Sequence, residues 1–115
     1  MAEIKAINLT VENVLGDLAN TPLLSTEETL KMIKLIRKGD EKATEEFKQK
    51  NARFVAAVAK RYIGKGLTID ELMEAGNNGL IAAANKYNKD SGIRFITFAI
   101  FWIRQGILEV LPTED

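Results

Sequence analysis

Residues 68–87 read TIDELMEAGNNGLIAAANKY. Thr68-Ile69-Asp70-Glu71 is a capping box, a hydroxyl and a carboxylate set to satisfy backbone donors that the first turn of a helix leaves open. Behind it Ile69, Leu72, Met73, Gly76, Leu80, Ala84 and Tyr87 recur at three- and four-residue intervals, which predicts an amphipathic helix. One apolar stripe needs partners to cover it, so the fold class depends on what lies on either side.

On the N-terminal side a second capping box, Ser25-Thr26-Glu27-Glu28, opens a helix carrying Leu30, Ile33 and Ile36 or Arg37, and Gly39 ends it. Asp40 caps the next helix, with Ala43, Phe47, Phe54, Val55, Val58, Ala59 and Tyr62 on its inner side and Gly64 and Gly66 as its stop. The polar Gln49-Lys50-Asn51 interrupts that pattern as a break or an exposed turn. On the C-terminal side Asn88-Lys89-Asp90-Ser91-Gly92 is turn chemistry, and a last helix runs from about Phe95 to Leu111. The only two prolines, Pro22 and Pro112, bracket this helical stretch, and no segment alternates long enough to be a strand. The expectation is an all-α fold, a compact bundle of about four to five helices over residues 22–111, preceded by a partly ordered segment 1–21 and followed by a tail 112–115.

A chain of 115 residues has room for one such domain, and 46% hydrophobic with 28% charged residues is a globular balance. Neither Cys nor His occurs, which removes disulfides, thiolate or imidazole metal sites and His-based triads; no cofactor or metal and no enzymatic activity are expected. Sixteen basic side chains balance sixteen acidic ones, so binding to a polyanion must use a local patch. Between residues 51 and 110 eight basic residues face five acidic ones. The N-terminus lacks a secretory pattern, and the longest apolar run, Phe98 to Ile103, is too short to span a bilayer; no membrane partner is expected, and the cytoplasm is the expected location.

The last helix departs from an ordinary bundle helix. Between Phe95 and Ile103 only Thr97 is not apolar, more than one core-facing stripe can bury. Ile96, Ala99 or Ile100, Ile103, Ile107 and Val110 share the side expected to face the core, and Phe95, Phe98, Phe101, Trp102 and Gln105 share the other. Such an aromatic stripe is either further core, or a groove for a partner helix, or a platform for stacking unpaired bases flanked by Arg94, Arg104 and Gln105.

The ordered set Asn51-Ala52-Arg53-Phe54-Val55, Ala59-Lys60-Arg61-Tyr62, Gly66-Leu67, Gly76-Asn77-Asn78-Gly79-Leu80 and Phe95-Ile96-Thr97-Phe98-Ala99-Ile100-Phe101-Trp102-Ile103-Arg104-Gln105 resembles bacterial primary-type RNA polymerase sigma factors of the sigma-seventy family over about residues 22–111. The resemblance implies a domain-two-like helical bundle without catalytic chemistry. Such a domain docks on the clamp coiled coil of the polymerase largest subunit and captures the non-template strand of the minus-ten promoter element. Glu71, Leu72, Met73, Glu74, Asn77 and Asn78 are then the candidate polymerase contacts, the two carboxylates otherwise being a solvated acidic face. Phe95, Thr97, Phe98, Phe101 and Trp102 would form the wedge and base pocket, Arg53, Lys60, Arg61, Arg94 and Arg104 would contact phosphates, and Gln105 would read a base edge.

Three departures accompany the resemblance. Phe101-Trp102 stands for the usual Trp-Trp pair and Phe98 for a Tyr; Leu108-Glu109 stands where a Thr-Arg pair is frequent; Ala75 stands for an acidic residue. Val11 to Leu24 carries no motif to which a role transfers, and after Leu111 the sequence reads Pro112-Thr113-Glu114-Asp115 without the helix-turn-helix domain that reads the minus-thirty-five element. The chain is then either a fragment or a minimal factor. An anti-sigma protein, or a separate protein supplying the second DNA-binding domain, are further candidate partners. The second functional reading is a sigma-derived regulator that occupies the clamp without recognising a promoter.

Overall fold

A computed structural model describes residues 11–112. Residues 1–10 of the expected N-terminal segment and 113–115 of the expected tail lie outside the described residues. The helices are α1 (Val11–Asp17), α2 (Thr26–Arg37), α3 (Glu41–Lys50), α4 (Ala52–Ala59), α5 (Ile69–Lys86) and α6 (Phe95–Val110), with single 3₁₀ turns at Lys60–Tyr62 and Lys89–Ser91. The fold is all-α, and among the described residues there is no strand.

Both capping boxes form. Ser25 Oγ accepts from the Glu28 amide at 3.1 Å while Glu28 Oε1 accepts from the Ser25 amide at 3.1 Å. The Thr68 and Glu71 pair does the same at the head of α5, at 3.1 and 2.8 Å. Asp40 caps α3 through the Ala43 amide at 3.0 Å.

Among the described residues there are six helices: five lie within 22–111, as the expected four to five allow, and α1 precedes them in a stretch without a motif. The fifth comes from Asn51, where the interruption expected around Gln49-Lys50-Asn51 is a break and divides the helix after Asp40 in two. Its side-chain amide donates to the Phe47 carbonyl at 2.9 Å, competing with the backbone ladder, and its backbone (φ −105°, ψ 11°) leaves the helical region.

The antiparallel pair α5 and α6 is the spine of the bundle. It closes at glycines: a Cβ on Gly79 would collide with the Trp102 carbonyl oxygen and lie 2.6 Å from Ile103 Cα, and one on Gly106 would lie 2.5 Å from the Ala75 carbonyl oxygen. Around that contact Phe54, Val55 and Val58 of α4, Leu72, Leu80 and Ala83 of α5, and Ile100, Ile103 and Ile107 of α6 form the core, with Phe47 of α3 and Ile33 of α2. Val14 and Leu18, in and just beyond α1, join it. Val110, assigned to the core side of α6, is instead 52% exposed. The pairing of Gly106 with Ala75 and of Trp102 with Gly79 carries residue 110 to the level of the first turn of α5, where the bundle ends. Ile96 is only half-buried.

Asp17 fastens the end of α1. Its carboxylate bridges Lys60 Nζ at 3.0 Å and Arg61 Nη1 at 2.9 Å. Hydrogen bonds from Lys60 and Arg61 hold its carboxyl below the usual 3.8. A depressed carboxyl contributes stability that is present above its unfolded-state value and is lost as pH falls through the folded-state value. Protection factors of the α1 amides against hydrogen exchange are therefore expected to fall on acidification below about pH 4, and in Asp17→Asn at neutral pH as well. Equal protection of wild type and variant at neutral pH would show that the bridge holds nothing.

The helix contact makes a second prediction. Gly79→Ala gains about 1 kcal/mol of helix propensity yet is expected to destabilise by about 1–3 kcal/mol, because the methyl meets main chain that cannot step aside. Gly16→Ala, in α1 with no heavy atom within 4 Å of the added carbon, is expected to stabilise. Denaturant midpoints measure both, and equal effects of the two substitutions would refute the close contact.

Candidate nucleic-acid interface

α6 has two working sides because its apolar residues cover more than one arc. Ala99, Ile100, Ile103 and Ile107 are buried. On the outer side Thr97, Phe101, Gln105 and Glu109 follow at four-residue intervals, which stacks them in one row. Phe101 is 60% exposed, and Gln105 and Glu109 are exposed.

The other three rings of this helix are half-buried rather than open. They belong to a chain of aromatic contacts: Phe47 to Phe95 (5.7 Å between centroids), Phe95 to Tyr87 (5.3 Å, 87° between planes), Tyr87 to Phe98 (5.6 Å) and Phe98 to Trp102 (6.0 Å). Tyr87, assigned from its spacing to the α5 stripe, is the centre of this chain, and its hydroxyl donates to the Ile93 carbonyl at 2.5 Å. Arg37 completes the support. Its Nε donates to the Ala84 carbonyl at 3.0 Å and its Nη2 to the Tyr87 carbonyl, so a guanidinium from α2 caps the C-terminal end of α5. Sequence alone did not single out this contact; a basic residue in the last turn of α2 has no mark distinguishing it from a surface charge.

A cleft of about 240 Å³ lies between the start of α2 and the start of α6, lined by Leu24, Thr29, Asn51, Phe54, Arg94 and Phe95 among others. It gives Asn51, quoted above as part of a motif and of the interruption before it, a place at a potential binding surface.

The candidate phosphate contacts divide. Arg53 and Arg94 are exposed, and Arg104 is half-buried. Arg104 stands near the fully buried Tyr62, whose phenol is pushed above its ordinary 10.0 by burial while the guanidinium pulls the other way. For Arg61, only 10% of the side chain is exposed, and its Nη1 donates to Asp17 and to the Ala57 carbonyl. Lys60 stays at the surface, 53% exposed, with its charge matched by Asp17. The acid that engages both comes from the segment to which no role was assigned.

On α5, Glu71, Glu74 and Asn78 are exposed at i, i+3 and i+7, and Met73 and Asn77 are half-buried beside them. Leu72 is fully buried, because it sits on the same side of α5 as the glycines that meet α6. Glu71 spends one carboxylate oxygen on the Thr68 amide. Ala75 is buried where α5 meets α6, so the departure at that position lies inside the fold. Leu108 is half-buried. Among the described residues no cluster of acidic side chains could hold a metal ion, and no helix is long and apolar enough to cross a membrane.

Comparison with known proteins agrees with this architecture. The family profile of Sigma-70 region 2 matches residues 47–114. The chain is 38% identical over 108 residues to an RNA polymerase sigma factor SigA from Bacillus sp, which covers 94% of this chain and 29% of the relative. It is 38% identical over 109 residues to SigA of Clostridium acetobutylicum, with coverage of 95% and 29%. It is 41% identical over 101 residues to sigma factor RpoS of Coxiella burnetii, with coverage of 88% and 29%. The chain thus spans less than a third of the length of these relatives.

Proposed function

Because the chain belongs to the sigma-70 family through its region 2, we propose that it is a transcription initiation module that binds core RNA polymerase in the cytoplasm and recognises and melts the minus-ten promoter element by capturing its non-template strand. The observation that carries the reading is the outer row of α6, where exposed Phe101 and Gln105 lie beside the partly covered Phe98 and Trp102. A base leaving the duplex loses a few kcal/mol of stacking, and each ring it meets returns about 1–3 kcal/mol. Phe101 offers a free face for a stacked base. Phe95, Phe98 and Trp102, held from behind by Tyr87 or by one another, act as the wedge and pocket wall, with Thr97 at the rim. Gln105 both donates and accepts, which suits the edge of an adenine. Arg53, Arg94 and Arg104 position the strand through its phosphates, with a lesser part for Lys60.

The polymerase surface in this reading is the outer side of α5. Glu71 and Glu74 share one side at i,i+3 and meet basic residues of the clamp coiled coil, while Met73, Asn77 and Asn78 supply the remaining contacts. The specificity conferred is that of a binding protein, with no reaction of its own. An anti-sigma protein, or a protein supplying a second DNA-binding domain, would complete its set of partners.

Glu109 favours the second reading, a regulator that occupies the clamp without reading a promoter. It is an exposed carboxylate on the row that includes Gln105, where it repels phosphates. Ala75 lends that reading no support, since its side chain is buried.

With the polymerase complex and a single-stranded minus-ten oligonucleotide, Trp102→Ala and Phe101→Ala are each expected to weaken binding by about 1–3 kcal/mol; undiminished binding by both would remove the stacking role. Glu109→Arg is expected to tighten binding and steepen its salt dependence, and an unchanged slope would place that carboxylate away from the strand. Run-off transcription decides between the readings: promoter-dependent start sites support the initiation module, and inhibition alone supports the regulator.

A further inference from the structure

A second cleft, of about 900 Å³, lies between α2 and the 3₁₀ turn at Lys89–Ser91. Lys31, Lys34, Arg37, Lys38 and Lys89 line it, with Asp90 the one acidic residue among its walls. In a chain whose charges balance, this is a marked local excess. None of these basic residues belongs to the set that the motifs of the later helices singled out.

Lys34 sits among like charges. Lys34 has Lys31 three residues before it, Arg37 three residues after and Lys38 four after, so its helical neighbours at those spacings on either side are cations or, at Leu30, apolar. Each like-charge pair at these spacings costs a few tenths of a kcal/mol. Among the described residues Lys31, Lys34, Lys38 and Lys89 form no ion pair, and all four are exposed. Arg37 is the exception in purpose, since its guanidinium holds the end of α5.

Two features name the occupant. The first is continuity: the cleft shares Leu30 and Tyr87 with the 240 Å³ cleft beside Arg94 and Phe95, and the Tyr87 ring touches Phe95 and Phe98. The basic cleft therefore adjoins the flank aromatics Phe95 and Phe98 of α6 across a single side chain. The second is spacing. From Lys31 to Lys38 a helix rises about 10 Å, a row long enough to face more than one phosphate of a single extended strand. Lysines are mobile point charges, suited to following a backbone rather than fixing one group bidentately.

We propose that the cleft between α2 and the 89–91 turn binds the phosphate backbone of the same single DNA strand whose bases stack on α6, with Lys31, Lys34, Lys38 and Lys89 as its contacts. The inference rests on the strand-capture reading above, and it extends the DNA path onto a helix to which that reading assigns nothing.

The test uses the polymerase complex and a single-stranded oligonucleotide carrying the minus-ten sequence, with affinity measured across a salt series. A variant with Lys31→Gln, Lys34→Gln, Lys38→Gln and Lys89→Gln, surface changes that spare Arg37, is expected to lower the slope of log affinity against log salt by roughly 0.7 per lysine. Phe101→Ala is expected to lower affinity with its slope kept. An unchanged slope in the lysine variant, with Phe101→Ala still weakened, overturns the cleft site and leaves strand capture standing. A lowered slope with Phe101→Ala and Trp102→Ala both silent keeps the backbone site and overturns the stacking reading. If the lysine variant loses polymerase affinity while its DNA slope is unchanged, the cleft serves an acidic protein surface and the proposal is wrong.

Discussion

The contact of α5 with α6 through Gly79 and Gly106 is the constraint on which the rest depends. Main chain meets main chain there: the space a Cβ on Gly79 would need is taken by the Trp102 carbonyl and Ile103 Cα. Helices that approach so closely have little freedom to rotate or slide, since either motion drives a side chain into backbone. The register of α6 is thereby fixed at the residues between its buried isoleucines and its outer row. A rotation of α6 large enough to bury Phe101 would carry Ile103 toward solvent. The exposed ring is thus a consequence of the glycine contact as much as of the α6 sequence.

The same constraint explains why the aromatic residues of α6 do not all behave alike. With Ile100, Ile103 and Ile107 committed inward, Phe95, Phe98 and Trp102 fall on the flank and rest against Tyr87 or one another. Aromatic pairs of this kind contribute about 0.5–1.5 kcal/mol each beyond burial, enough to hold rings in place without sealing them. A surface held rigid before it meets a ligand loses less side-chain entropy on binding than a flexible one. Arg37 extends this logic one layer further back, since it ties the end of α5, and with it Tyr87, to α2.

Much of this was legible in the sequence, for a physical reason. Capping boxes, left-handed glycine stops and helical periodicity are local, and the Ser25, Thr68 and Asp40 caps form as their spacing predicts. The doubly apolar character of α6 likewise announces a face beyond the core. What was not legible depends on partners distant in sequence. Leu72 and Met73 are adjacent apolar residues of one stripe, and only the α6 contact decides that the first is fully buried and the second half-buried. Arg61 resembles any exposed arginine until Asp17 arrives from α1. Val110 continues the core spacing of α6 faithfully but reaches past the end of its neighbour.

Charge follows the same division between local pattern and tertiary placement. The sum is zero, yet along α6 the field is graded. Arg94 and the positive end of the helix dipole mark its beginning, next to the cleft that holds Lys89 and the α2 lysines, whereas Glu109 and the negative end of the dipole mark its close. An extended polyanion laid along this helix meets attraction at its start and, beyond Arg104, repulsion at its close, so its far end is disfavoured relative to the end beside α2. In the proposed reading, stacking on Phe101 is indifferent to strand direction and nearly so to sequence, whereas the gradient is not and would supply the orientation that rings alone lack.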